Sequence, residues 1–220
     1  MINFRSFAAA LAVCICAAPA SAVTLASFES TNIAALTPTL SAGVSGGSIV
    51  RGEGLDQATG GTFNSRNWTQ GGDAVAARTN QDYIGTAPDA GFSFLAPVDL
   101  TTLDLAYDRS PTGPGSISID LFVNGMTFLD FFVDDSVPAN SSAIASLDLS
   151  AFDNVSIFGF QINGFGATNP LGTFDLENRL VGGAAVILSG EGSAVAAVPL
   201  PAGGALLLGG LGMLALRRRR

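Results

Sequence analysis

The residues of this 220-residue chain that could do chemistry carry oxygen almost without exception. There is no histidine, and the two cysteines, Cys14 and Cys16, lie close to the N-terminus. Beyond them neither an imidazole base nor a thiolate exists, which excludes histidine triads, cysteine nucleophiles and ordinary zinc sites. Glycoside hydrolysis survives this test, because it needs only two carboxylates. The four glutamates, Glu29, Glu53, Glu177 and Glu191, form no evident cluster of closely spaced acids on one strand. A non-catalytic body is therefore expected.

Two other groups remain. Asp134 and Asp135 precede the oxygen-rich stretch SVPANSS, and hard oxygen ligands suit calcium. No EF-hand or calcium-binding repeat accompanies them, and a solvated acidic surface explains the same residues. Asp104 and Asp108 flank the Tyr107 turn in a similar way. Trp68, the only tryptophan, has Asn67, Gln70 and Asp73 nearby. An aromatic face for stacking with amides for hydroxyls would make a sugar platform. The other reading is a core or rim tryptophan capping one end of the fold.

The elements that must position these groups read as strands. In SISIDLFVNGMTFLDFFV, Ile117, Ile119, Leu121 and Val123 alternate with Ser116, Ser118, Asp120 and Phe122. Asn124-Gly125 supplies the two positive-φ residues of a type I′ turn, and 126–133 returns as the second strand. Further strands are expected at 24–28, 91–95, 101–107, 144–149, 155–162, 173–176 and 184–189, with short ones near 48–51 and 61–63. Loops rich in Gly, Pro and Asn separate them. Phe158, Phe160 and Phe165 read as core. The pattern predicts an all-β chain with one antiparallel β-sandwich, jelly-roll-like, over residues 23–193.

Charge and hydropathy locate the ends. Five arginines and all 18 acidic residues fall between residues 23 and 193, a formal charge of −13. So acidic a body is a poor partner for nucleic acid and for anionic lipid. Residues 1–22 have the form of an export signal: Arg5, a short apolar stretch, then the small residues Ala20 and Ala22 for signal peptidase, with cleavage expected after Ala22. Removal of that segment would take both cysteines with it, leaving a body without disulfides. Residues 194–220 comprise a flexible linker, an apolar run over about 202–216 and four arginines, 217–220. Such a run is long enough for a membrane-spanning helix, and the arginines would hold its end in the cytoplasm.

Val198, Pro199, Leu200, Pro201 and Ala202, followed by a Gly- and Leu-rich span and the arginine cluster, closely resemble the VPLPA-CTERM sorting signal, a variant of the PEP-CTERM class of Gram-negative bacteria. The resemblance covers only the tail. It implies recognition and removal of the tail by an exosortase, a membrane-embedded transpeptidase-like enzyme, and a place at the cell surface among extracellular polysaccharide. A proline pair agrees with this physically, since it keeps the preceding backbone extended, the form a protease cleft accepts. The expected function is a structural or adhesive surface or matrix protein with glycan binding and no cofactor beyond the calcium considered above. The alternative is a secreted carboxylate-dependent glycoside hydrolase acting on exopolysaccharide.

Overall fold

The computed structural model describes residues 22–68, 82–87 and 90–192. The signal segment with Ala20, the tail with its sorting motif, and Gln70 and Asp73 lie outside the described residues; Ala22 is their first.

Described strands number fourteen: β1 (Val23–Phe28), β2 (Ala35–Leu36), β3 (Thr39–Leu40), β4 (Val44–Gly46), β5 (Ile49–Arg51), β6 (Phe63–Ser65), β7 (Tyr83–Thr86), β8 (Phe92–Arg109), β9 (Ser116–Val123), β10 (Met126–Asp134), β11 (Ala143–Asp148), β12 (Val155–Phe165), β13 (Phe174–Leu176) and β14 (Val186–Gly192). They belong to one sheet, and every strand pair is antiparallel. The described residues contain one 3₁₀ turn, Val181–Gly183, and no α-helix. None of their helices is long and apolar enough to cross a membrane.

The strand at 91–95 and the strand at 101–107 prove to be one element of 18 residues, β8. Pro97 hides this in the sequence, because proline cannot donate to a ladder and reads as a strand end. At that point β8 changes neighbours. Phe92 and Ser93 pair with β12 and β4, Val98 to Leu105 pair with β14, Thr102 to Tyr107 with β11, and its last residues with β13. The sheet curls through this shared strand and closes its apolar face on itself. Phe28 of β1 meets Phe92 of β8 edge-on at 5.9 Å, and Phe92 stacks on Phe158 of β12 at 6.3 Å. Each such fully buried ring contributes roughly 1.5–3 kcal/mol. Phe158, Phe160 and Phe165 are all core, as their alternation predicts.

The hairpin forms as expected. Asn124 and Gly125 adopt φ of 50° and 81°, and Val123 pairs with Met126 across them. The Asn124 side chain also pins this tip to β12. Its Oδ1 accepts from the backbone N–H groups of Ser156 and Ile157 at 2.8 and 3.1 Å. The return strand is less regular than its sequence suggests, with its register shifting between Phe128 and Phe132 around a bulge where Asp130 takes φ of 50°.

Candidate functional site

Alternation on β9 and β12 produces the most distinctive surface of the molecule. Ile117, Ile119, Leu121 and Val123 of β9 and Phe158, Phe160 and Ile162 of β12 point into the core. The opposite face therefore carries Ser118, Asp120 and Phe122 beside Asn163, Gln161 and Gly159, in direct register. One aromatic ring thus stands among polar groups, next to a position with no side chain.

A groove of about 500 Å³ opens there, lined by Gly91, Ser93, Phe122, Gly125, Thr127, Ile157 and Gly159. That size falls within the range of small-molecule sites. Glycines keep it open for a steric reason. A Cβ at Gly91 would lie 2.4 Å from the Phe158 carbonyl oxygen. One at Gly159 would lie 2.7 Å from Thr86 Oγ1 and in contact with the Phe122 ring. Thr86 cannot give way, since its buried hydroxyl accepts from the Phe160 N–H at 3.0 Å. The walls are the half-buried Phe122 and the exposed Ile157, with hydroxyls from Ser93 and Thr127. Among the described residues no charged side chain lines the groove.

One step along the same strands lies a polar row. Asp120, 4% exposed, accepts the Asp130 N–H at 2.8 Å and the Asn163 Nδ2–H at 3.0 Å. Gln161 is 9% exposed and lies opposite Asp120 on one side and Gly85 on the other. Among the described residues its amide has no hydrogen-bond partner. An amide left with both donor and acceptor capacity in so sheltered a place is available to a ligand. The arrangement offers an uncharged guest a ring to stack on, two hydroxyls and one primary amide.

The residues singled out in the sequence take other places. Trp68 is buried at 4% exposure, packs edge-on against Phe174 at 6.0 Å, and donates its indole N–H to the Ser65 carbonyl at 2.9 Å. Its other side is closed by Gly164, where a Cβ would approach the ring to 2.7 Å. The platform reading of Trp68 therefore gives way to the core reading: the ring has no open face to stack on. Asn67 is turned to Asp56, its Nδ2 donating at 2.6 Å. Asp134 accepts from the Tyr107 hydroxyl at 2.9 Å and from the Ser136 N–H at 2.9 Å. Burial and this bond hold the Tyr107 phenol protonated well above its usual range. Asp135 is exposed beside it. Among the described residues no group of three or more acids is placed to hold a metal ion.

The fold also brings together carboxylates that lie far apart in the sequence. Asp108 of β8 faces Asp175 of β13 in register, and the two share a side-chain hydrogen bond, with Glu177 and Arg179 close by. Burial first, then the charges of Asp108 and Glu177, push the Asp175 carboxyl up to about 6, against a bond from Thr173 that favours the ionised form. Burial raises Asp108 as well, while its bond to Asp175 and the charge of Arg179 work the other way. Burial thus favours a proton retained by the pair. Carboxyls in mutual contact leave no room for a sugar between them, whereas glycosidase pairs stand ~5–9.5 Å apart.

No protein-family model and no curated protein matches the chain. Among solved structures it is similar to a carbohydrate-binding module of family 29, at 12% identity and a TM-score of 0.41 over 77% of this chain and 89% of that one. A second structure of that family, solved with mannohexaose, matches at 11% identity and a TM-score of 0.38, over 76% of this chain and 92% of that one. Neither likeness is close enough in geometry to carry a function across.

Proposed function

We propose that this chain is an exported surface or extracellular-matrix protein of a Gram-negative bacterium, and that its body, a jelly-roll-like sandwich, binds neutral glycan without turning it over. Signal peptidase removes residues 1–22, the apolar tail holds the chain in the inner membrane, and an exosortase cuts at the Val198–Ala202 motif before delivery to the surface. The body supplies adhesion once outside.

The observation that supports the binding reading is the glycine-floored groove beside Gln161. Phe122 gives a pyranose ring an apolar face, Ser93 and Thr127 answer hydroxyls, and the unpartnered Gln161 amide can both donate and accept. The lining, uncharged among the described residues, fits a neutral sugar better than an acidic one.

A glycan array probed with the full chain in mild detergent tests this. Retained binding to neutral oligosaccharides, with no release of reducing ends, supports it. Release of oligosaccharide, abolished by Asp108→Asn or Asp175→Asn, would instead establish the hydrolase reading.

A further inference from the structure

A second opening lies at the end of the body where the chain enters and leaves. Val23, the first residue of β1, pairs with Gly190 of β14, and Gly192 at the end of β14 pairs with Val98. Both apolar sequence stretches outside the body, 7–18 before it and 202–216 after it, therefore connect to this one end. Here an apolar groove of about 580 Å³ is walled by Val23, Leu25, Val44, Phe94, Leu95 and Pro97 among others. Leu95 is 91% exposed and Val23 49%. A leucine presented so fully beside a groove of this character is an unfilled contact.

We infer that this end of the body rests on the lipid surface while the tail is in the bilayer, with Leu95 inserted among the headgroups. The inference rests on the reading of 202–216 as membrane-inserted given above. The nine residues 193–201 separate Gly192 from that run and span at most ~30 Å when extended, so the body is tethered close to the surface. Of its two ends, the one at the tether is the one that carries the apolar groove. The lipid must be uncharged overall. Asp99 and Glu191 are register partners on the rim of this end, and the body as a whole is strongly acidic, so anionic headgroups would repel it. Contact at this end would hold the 198–202 motif at the membrane surface, where a membrane-embedded peptidase works.

The chain permits a clean test, because outside Cys14 and Cys16 it has no cysteine. In the full chain carrying Cys14→Ser and Cys16→Ser, Leu95→Cys or Val181→Cys is labelled with an environment-sensitive nitrobenzoxadiazole dye. Val181 is the control: it is 89% exposed, but precedes β14 and so lies towards the opposite end of that strand. Both sites are exposed, so neither substitution disturbs packing. The labelled proteins are reconstituted into phosphatidylcholine vesicles and recovered by flotation. The expected result is a blue shift at position 95 and loss of its emission to lipids with brominated acyl chains, while position 181 keeps its emission in water. Weaker shifts in phosphatidylglycerol vesicles would agree with the charge argument. Flotation with a silent label at 95, or equal responses at both sites, overturns this inference alone. A blue shift that follows protein concentration without lipid would assign the groove to a second copy and overturn it. Failure to float overturns it together with the reading of the tail.

Discussion

The carboxylate of Asp120 accepts the backbone N–H of Asp130 at 2.8 Å, so one buried acid on β9 fixes the bulge of the neighbouring edge strand β10. The same carboxylate takes the Asn163 amide from β12. It therefore ties three strands together behind the groove. Removing it strands one buried and one part-buried donor, each costing ~1–3 kcal/mol at most. Asp120→Ala should lower stability by roughly 2–4 kcal/mol, and Asp120→Asn by about half that, since an amide oxygen can still accept one of the bonds. Urea midpoints of the three proteins check the order.

The groove makes a prediction that separates binding from folding. Phe122 is only half-buried and Gln161 has no partner to lose among the described residues, so neither Phe122→Ala nor Gln161→Ala should shift the unfolding midpoint by much more than ~1 kcal/mol. Loss of the stacking face should weaken glycan binding about 5- to 30-fold, and loss of the amide about 2- to 10-fold. Gly159→Ala should behave differently, because its methyl group meets Thr86 Oγ1 and lowers stability before it touches a ligand. Paired titrations and melts of the three variants test the contrast.

Tyr107 and Asp134 bear on the calcium reading. The bond at 2.9 Å between the end of β8 and the end of β10 gives Asp134 a structural role. Tyr107→Phe should lower stability by about 1–2 kcal/mol, leaving Asp134 without its buried donor. Addition of chelator should leave the melting temperature of the wild type unchanged. A fall in melting temperature with chelator, restored by calcium, would return Asp134 and Asp135 to the role of ligands.

The Asp108–Asp175 pair sets a pH dependence. Below the ordinary aspartate range both folded and unfolded chains hold the proton on Asp175, and the pair has no effect on stability. Between pH ~4 and about 6 the unfolded chain ionises first, while the folded chain retains its proton. The native state binds more protons over that window, so stability falls as pH rises through it. Screening by the solvent that reaches this pair reduces the loss to an estimated ~1–2 kcal/mol. Asp175→Asn removes the titration, so its stability should stay flatter from pH 4 to 7 and exceed the wild type at neutrality. Denaturation at a series of pH values shows whether the two curves converge at low pH.

Local chemistry was legible in the sequence and long-range chemistry was not. The Asn124-Gly125 turn, the alternation of β9 and the burial of Phe158 and Phe160 follow from neighbouring residues alone. Phe122 was visible too, as an aromatic on the face of β9 that otherwise carries Ser118 and Asp120. Its companion Gly159 was not, because only the register of β9 on β12 places that gap beside the ring. Asp108 and Asp175 meet for the same kind of reason, through a strand pairing that no local spacing announces. Pro97 misled in the opposite direction, splitting one strand into two. Trp68 left two readings open because composition cannot tell an exposed indole from one whose N–H is satisfied inside by Ser65.

The central claim is that Phe122 and Gln161 together recognise a neutral sugar chain. Calorimetric titration of the wild-type chain and the Phe122→Ala/Gln161→Ala double variant against the oligosaccharide selected on the array tests it most directly. Saturable binding by the wild type, no turnover, and a loss of at least ~10-fold in the double variant at unchanged fold are the expected results. Equal affinity of the two proteins, or no neutral glycan bound by either, would contradict it.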